Sequence, residues 1–103
     1  MSYALELLPG AIEDLAAAAA WYEHNTPKRG EGFIQAIEAV LVQIRERPEA
    51  APPWGRRPRI RVRVVPRLRY RIFYEIIGDV IFVHAVAHTS RDPEYWLDRR
   101  RGS

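Results

Sequence analysis

Arginine is the residue type in this chain that is best placed to do chemistry. Half of the sixteen residues at positions 56–71 are arginine, and none of the sixteen is acidic. Guanidinium groups bind phosphate and carboxylate through paired hydrogen bonds, so the stretch predicts contact with an anionic ligand. From position 59 onward each of these arginines has an odd number: Arg59, Arg61, Arg63, Arg67, Arg69 and Arg71.

The even-numbered neighbours of these arginines are apolar. Residues two apart lie on the same face of a strand. The alternation therefore predicts two strands, at 59–65 and 68–77, with an apolar face on the core and an arginine face in solvent. We expect nucleic acid or an acidic protein segment to cover that face. A solvated edge, on which charge prevents aggregation, is the alternative interpretation.

Metal-independent cleavage of RNA is the enzymatic alternative. It requires a base for the 2′-hydroxyl, an acid for the leaving oxygen and cations around the phosphate. Arginine transfers protons poorly because it stays charged. His88 is the histidine near the arginines that is suited to this work, although a strand-end histidine can also hydrogen-bond the turn that follows it. No metal, nucleotide or covalent-catalysis motif is present, so no metal site and no cofactor are predicted.

Composition indicates one domain of 103 residues, with positions 98–103 as a frayed tail. Residues 1–55 carry a net charge of −4 and residues 56–103 a net charge of +7. The longest apolar run has eight residues, whereas a membrane span needs about 20. There is no cysteine and no basic segment at the start that would indicate a secretory signal. We therefore expect a cytoplasmic protein that does not enter the membrane.

The elements that must position the arginines follow from hydrophobic periodicity. A short strand near the start is followed by a helix at 11–24 and by a second helix, whose apolar residues at 33–44 repeat every three or four positions. Gly78-Asp79 predicts a turn between two strands, and Asp92-Pro93 predicts the start of a final helix. The predicted fold is α+β, with an αα-hairpin packed on a three- to four-stranded antiparallel sheet and a short C-terminal helix.

The order of these motifs resembles the ParE/RelE superfamily of toxins from type II toxin–antitoxin systems, which includes plasmid stabilisation proteins. The resemblance covers residues 4–97. It depends on a Y-R-[IV]-x-Y strand at 70–74, an apolar strand at 80–87 and an H-x-x-R-D-P-x-x-W ending at 88–96. The long helical hairpin and the R-D-P ending are closer to the ParE-type members than to the RelE-type members.

The resemblance implies a growth-inhibiting toxin that poisons DNA gyrase and that a cognate antitoxin holds inactive in a hetero-oligomer. Such an antitoxin has an acidic or amphipathic C-terminal segment, which we expect to cover the six arginines. Two alternatives remain: a RelE-like endoribonuclease that cleaves mRNA on the ribosome, and a non-toxic relic that only binds antitoxin. The chain is thus expected to act by binding rather than as an enzyme.

The resemblance also implies which residues would act if the chain were a ribonuclease. Thr89 and Ser90 stand where the RelE-type ending has two basic residues, and this departure favours the binding interpretation. The residues that match or lie near the RelE-type catalytic positions, together with the histidine, are Arg61, Arg63, Arg71, His88, Arg91 and Tyr95.

Overall fold

The structure is a computed structural model that describes residues 2–26 and 29–101. The predicted α+β architecture is confirmed: a strand and two helices precede the main strands, and a short helix follows them. No helix in the described residues is long and apolar enough to cross a membrane. The elements are β1 (Ala4–Leu7), α1 (Pro9–Asn25), α2 (Arg29–Glu46), β2 (Pro53–Trp54), β3 (Arg57–Val65), β4 (Tyr70–Ile77), β5 (Val80–His88) and α3 (Glu94–Arg101).

The strands form one sheet in the order β1-β5-β4-β3-β2. The main strands β3, β4 and β5 pair antiparallel, as predicted. The sheet differs from the prediction at its two edges. The two-residue β2 adds a fifth strand, and β1 pairs with β5 in parallel. A parallel pair needs a long crossover, which the chain between β1 and β5 provides.

The helical hairpin covers one face of the sheet, which we call the hairpin face. Phe33, Ile37, Val40 and Ile44 of α2 are buried there at helical spacing. They pack with residues of α1 and with sheet residues that include Val65 of β3. This face holds the larger of the two apolar clusters, so the position of the hairpin is fixed by ordinary burial of apolar surface.

A second apolar cluster lies on the opposite face, which we call the α3 face. Trp96 and Leu97 of α3 pack there with Ile60 and Phe73, and Trp54 contacts the same cluster. The predicted fold leaves the face opposite the hairpin open, wholly or in part. In the structure, the final helix and the loop tryptophan form a second layer over this face. As a result, the apolar residues of β3 at 60 and 62 face α3 rather than the helical hairpin.

The six odd-numbered arginines do not share one face, which corrects the prediction. In the β3–β4 ladder, Val64 lies opposite Arg71 and Arg63 opposite Ile72. Opposite residues on paired strands lie on the same face. The turn at 66–69 has four residues, so odd-numbered Val65 pairs with even-numbered Tyr70. Odd-numbered residues of β3 therefore share a face with even-numbered residues of β4. Arg61 and Arg63 point to the hairpin face, and Arg71 points to the α3 face.

The tail predicted at 98–103 is helical through Arg101, and residues 102–103 lie outside the described residues. The segment stays helical because the Arg99 side chain is hydrogen-bonded to the sheet. Its Nη2 donates to the backbone oxygen of His84 at 2.8 Å. Its Nη1 and Nη2 also donate to the carboxylate of Asp14 at 3.2 and 3.1 Å.

These bonds complete the outer edge of β5, which β1 covers only as far as Val83. The Leu8 amide donates to the Val83 carbonyl at 3.0 Å. Beyond that point, side chains replace the missing strand. Arg99 satisfies the His84 carbonyl. Asp14 Oδ2 accepts from the Val86 amide at 3.0 Å. A buried backbone group left without such a partner would destabilise the fold.

Gly10 makes room for Arg99 beside α1. A Cβ added at Gly10 would lie 2.2 Å from Arg99 Nε. We expect Gly10→Ala to push the guanidinium away from Asp14 and His84. Loss of charged hydrogen bonds costs about 2 kcal/mol, and the gain in helix propensity returns at most about 1 kcal/mol. The expected net loss in the free energy of unfolding is therefore about 1 kcal/mol, measured by urea denaturation.

Gly32→Ala is the matched control, because Gly32 also lies in a helix and nothing lies within 4 Å of its added Cβ. We expect it to stabilise the protein by up to about 1 kcal/mol. If the two alanine variants changed stability equally, the close approach of Arg99 to Gly10 would have no energetic role.

Candidate functional site

Arg61 holds the loop after α2 against the sheet, and Arg63 binds α2 itself. Arg61 Nη1 donates to the backbone oxygens of Ala51 at 2.6 Å and Glu49 at 3.2 Å. Arg63 Nη2 donates to the side-chain oxygen of Gln43 on α2. These two guanidinium groups therefore have a structural role before any partner arrives. Arg59 of the same strand, in contrast, is exposed.

Arg67 and Arg69 lie in the four-residue turn between β3 and β4. Their φ angles are 71° and 57°, in the left-handed region that favours glycine. Each such residue costs roughly 1–2 kcal/mol relative to an ordinary backbone conformation. Both arginines are exposed, and the Arg69 carbonyl accepts from the Thr89 amide at 2.8 Å. This bond places the β3–β4 turn beside the turn that connects β5 to α3.

Arg71, Arg91 and Tyr95 come together near the start of α3. Arg71 Nη2 donates to the Arg91 carbonyl at 3.3 Å, and the Arg71 guanidinium lies 5.1 Å from the centre of the Phe73 ring. The Arg91 guanidinium lies 3.5 Å from the centre of the Tyr95 ring. Arg71 Nε is buried and has no hydrogen-bond partner in the described part of the chain.

The hydroxyl of Tyr95 is bound within the protein. It donates to Asp14 Oδ2 at 3.1 Å, the same oxygen that accepts from the Val86 amide. The Asp14 side chain is only 7% exposed. Burial, and then the charge of Asp14 and the hydrogen bond to it, raise the pKa of the Tyr95 hydroxyl well above its ordinary 10.0. Tyr95 is therefore held neutral as a donor to Asp14.

The histidines near the sheet are also engaged. His88 Nδ1 lies 2.7 Å from Ser90 Oγ and accepts from the Ser90 amide at 3.1 Å. The His88 ring lies edge-on to Tyr70, with 5.4 Å between ring centres. His88 thus supports the turn that follows β5, which agrees with its structural interpretation. Inside β5, His84 Nε2 lies 3.0 Å from Glu75 Oε1, and its ring stacks on Trp96.

The six ribonuclease candidates therefore do not form one site. Arg61 and Arg63 lie on the hairpin face, and His88 lies at the end of β5 against Tyr70 of the hairpin-face cluster. Arg71, Arg91 and Tyr95 form a separate group beside α3. Among the described residues, no group of three or more histidine or acidic side chains is placed to bind a metal.

Sequence reasoning missed Asp14 and Arg99, which fix α3 and the Tyr95 hydroxyl. One signal was available for Asp14. It lies between Ala11 and Ala18, the two buried residues of α1, at helical spacing. A carboxylate on the buried side of a helix is rare unless it is paired. No local pattern identified Arg99 as its partner, because 85 positions separate the two residues.

Tyr95→Phe tests the bond to Asp14. At pH 8 we expect a loss of about 1–2 kcal/mol in the free energy of unfolding, because one hydrogen bond to a carboxylate is removed. The raised pKa makes this contribution complete below pH 10, the ordinary tyrosine value, and causes it to disappear as pH rises further. The difference between wild type and variant should therefore shrink at pH 11.

The pKa values of Tyr70 and Tyr74 are also raised by burial, so both proteins should lose stability in alkali. Urea denaturation of the two proteins side by side isolates the Tyr95 contribution. A difference that stays constant between pH 8 and pH 11 would contradict the assignment of the Tyr95 proton to this bond.

Comparison with solved structures places the fold among bacterial toxins. The chromosomal ParDE system of P. aeruginosa contains a similar chain, with a TM-score of 0.76 and 17% identity over 84% of this chain and 96% of that chain. The isolated E. coli RelE toxin gives a TM-score of 0.65 and 23% identity, covering 99% and 100% of the two chains. A mutant of E. coli RelE in complex with an antitoxin RelBc peptide gives 0.64 and 21%, covering 97% and 95%.

At these identities the structural likeness shows the fold alone. No curated protein matches the chain in sequence at a significant level. The family assignment comes from a family model described as the ParE toxin of the type II toxin–antitoxin system parDE, which matches residues 5–93. The chain therefore belongs to the ParE toxin family of type II toxin–antitoxin systems.

Proposed function

We propose that this toxin inhibits growth by binding DNA gyrase in the cytoplasm, and that a cognate antitoxin neutralises it in a hetero-oligomer. The observation that carries the proposal is the engagement of the acid–base groups within the fold. Tyr95 donates its hydroxyl to a buried carboxylate, and His88 supports a turn. RNA cleavage by proton transfer needs such groups free beside the scissile phosphate. A toxin that acts by binding has no such requirement.

A RelE-like endoribonuclease is the alternative. The close grouping of Arg71, Arg91 and Tyr95 favours it, because two cations beside a phenol could hold a phosphate. In this mechanism Tyr95 would have to leave Asp14 to reach a substrate. A relic that binds only antitoxin is the third possibility, and expression without growth arrest would indicate it.

The mechanism can be tested with purified toxin in two parallel assays. We expect the toxin to inhibit supercoiling by DNA gyrase and to increase cleaved DNA, while reporter mRNA translated on ribosomes stays intact. Cleavage of the translated mRNA with gyrase activity unchanged would refute gyrase binding and support the ribonuclease.

Tyr95→Phe is the informative variant in these assays. If Tyr95 were catalytic, removal of its hydroxyl should lower mRNA cleavage by roughly 100-fold or more. Under the binding mechanism, the variant should inhibit gyrase as the wild type does at a temperature where both proteins are folded. A urea curve for each preparation separates loss of folding from loss of activity.

The antitoxin surface that we propose surrounds Arg59 on β3. Arg59 is exposed between the two β3 positions that pair with β2, and a cleft of about 490 Å³ lies beside it. The complex of an E. coli RelE mutant with an antitoxin peptide supports an antitoxin partner for this fold. An acidic antitoxin segment would pair with the exposed guanidinium of Arg59. The cleft is lined by Glu49, Pro58, Arg59, Arg61, Glu75, Ile76, Ile77 and Gly78.

Arg59→Glu should weaken antitoxin binding at least tenfold, because it replaces an attractive contact with repulsion. The measurement is calorimetric titration with the antitoxin encoded beside the toxin gene. Arg45→Glu is the control, since it makes the same charge change on an exposed residue of α2. Arg61 is a poorer test because its loss would also release two carbonyls of the loop. Equal affinities of the two variants would place the antitoxin elsewhere.

A further inference from the structure

The β3–β4 turn contains two arginines that combine a strained backbone with an exposed side chain, and neither feature stabilises the fold. Arg67 and Arg69 both adopt left-handed backbone conformations, which glycine or asparagine would adopt with less strain. Both side chains are exposed, and no hydrogen bond or ion pair to either guanidinium occurs within residues 2–26 and 29–101. Strained residues of this kind point to a role outside the fold itself.

Several other arginines are already bound within the protein. Arg61 binds two carbonyls, and Arg99 binds a carboxylate and a carbonyl. Arg56 pairs with Glu94. The cations of the turn are thus distinct from the structural arginines, and they lie at one end of the sheet rather than along its face.

The neighbouring turn adds groups of the same chemistry. The Thr89 amide binds the Arg69 carbonyl, so residues 89–91 lie beside the β3–β4 turn. Thr89 and Ser90 are exposed, and the exposed Arg91 follows them. The Asp92 carboxylate accepts from the Glu94 amide and so caps α3. This end of the sheet therefore presents three exposed arginines, of which Arg91 also contacts the Tyr95 ring, and two hydroxyl-bearing residues.

We propose that this end of the sheet binds the phosphate backbone of duplex DNA through Arg67, Arg69 and Arg91. Arginine and hydroxyl side chains are the groups that proteins use for sequence-independent phosphate contacts. An acidic peptide fits less well, because such segments also need apolar anchors. In the turn itself Leu68 packs into the core instead of offering its side chain. The inference deepens the proposed function, since gyrase holds DNA where a bound toxin could contact it.

The test measures binding of the full-length toxin to a fluorescent duplex of about 20 base pairs, with salt varied from 50 to 200 mM. Each phosphate neutralised contributes a slope of about −0.9 to log K against log salt. Three arginines predict a slope of about −2.7, which corresponds to a loss of roughly 40-fold over this range.

Arg67→Gly with Arg69→Gly is the decisive variant, because glycine relieves the backbone strain while it removes both charges. We expect the variant to be at least as stable as the wild type in urea. We also expect it to retain a slope of only about −0.9. Arg45→Gln with Arg47→Gln is the control, since it removes the same total charge from exposed residues away from the turn. The control should bind DNA as the wild type does.

Each outcome decides the proposal. Selective loss of DNA binding in the double glycine variant supports it. Unchanged DNA binding in that variant, or an equal loss in the control, overturns it. Loss of antitoxin affinity without any DNA binding by the wild type would also overturn it and would assign the turn to an acidic peptide. Supercoiling assays report separately on gyrase inhibition, so the proposed function can fail while DNA binding persists.

Discussion

The outer edge of β5 is the constraint on which much of the structure depends. β1 is only four residues long and leaves the outer edge of the second half of β5 without a strand neighbour. A carboxylate from α1 and a guanidinium from α3 supply the missing acceptor and donor. Because Asp14 and Arg99 also bind each other, one network fixes both helices relative to the sheet. The placement of Tyr95, the close packing at Gly10 and the extension of α3 to Arg101 all follow from it.

The second constraint is the length of the turn between β3 and β4. Every arginine between positions 59 and 71 has an odd number, which invites the interpretation of one continuous basic face. Because the turn has four residues, Val65 pairs with Tyr70. Each face of the hairpin therefore carries odd-numbered residues of one strand and even-numbered residues of the other. The same alternation therefore directs Arg63 towards α2 and Arg71 towards α3. The arginines that suggest one surface in the sequence therefore lie in three places: on the hairpin face, in the β3–β4 turn and on the α3 face.

The elements could be predicted from the sequence because their signals are local. The repeat of Phe33, Ile37, Val40 and Ile44 and the Gly78-Asp79 turn each depend on neighbouring residues. Gly78 indeed adopts a φ of 62°. The site could not be predicted in the same way. The contacts of Asp14 with Val86, Tyr95 and Arg99 span more than 70 positions, and no spacing rule connects them. The division of the arginines between the two faces could have been predicted from the sequence, but only by counting the residues of the β3–β4 turn.

The preference for arginine over lysine has different causes at different positions. Arg99 contacts both oxygens of Asp14 and the His84 carbonyl at once, which requires the planar fork of a guanidinium. Arg61 reaches two carbonyls of one loop. Lysine has a single ammonium nitrogen and cannot reproduce the Arg99 geometry, which uses two guanidinium nitrogens. At the β3–β4 turn, charge alone would satisfy a phosphate. The structural arginines are thus the ones that chemistry constrains most tightly, although the exposed ones first draw attention to the sequence.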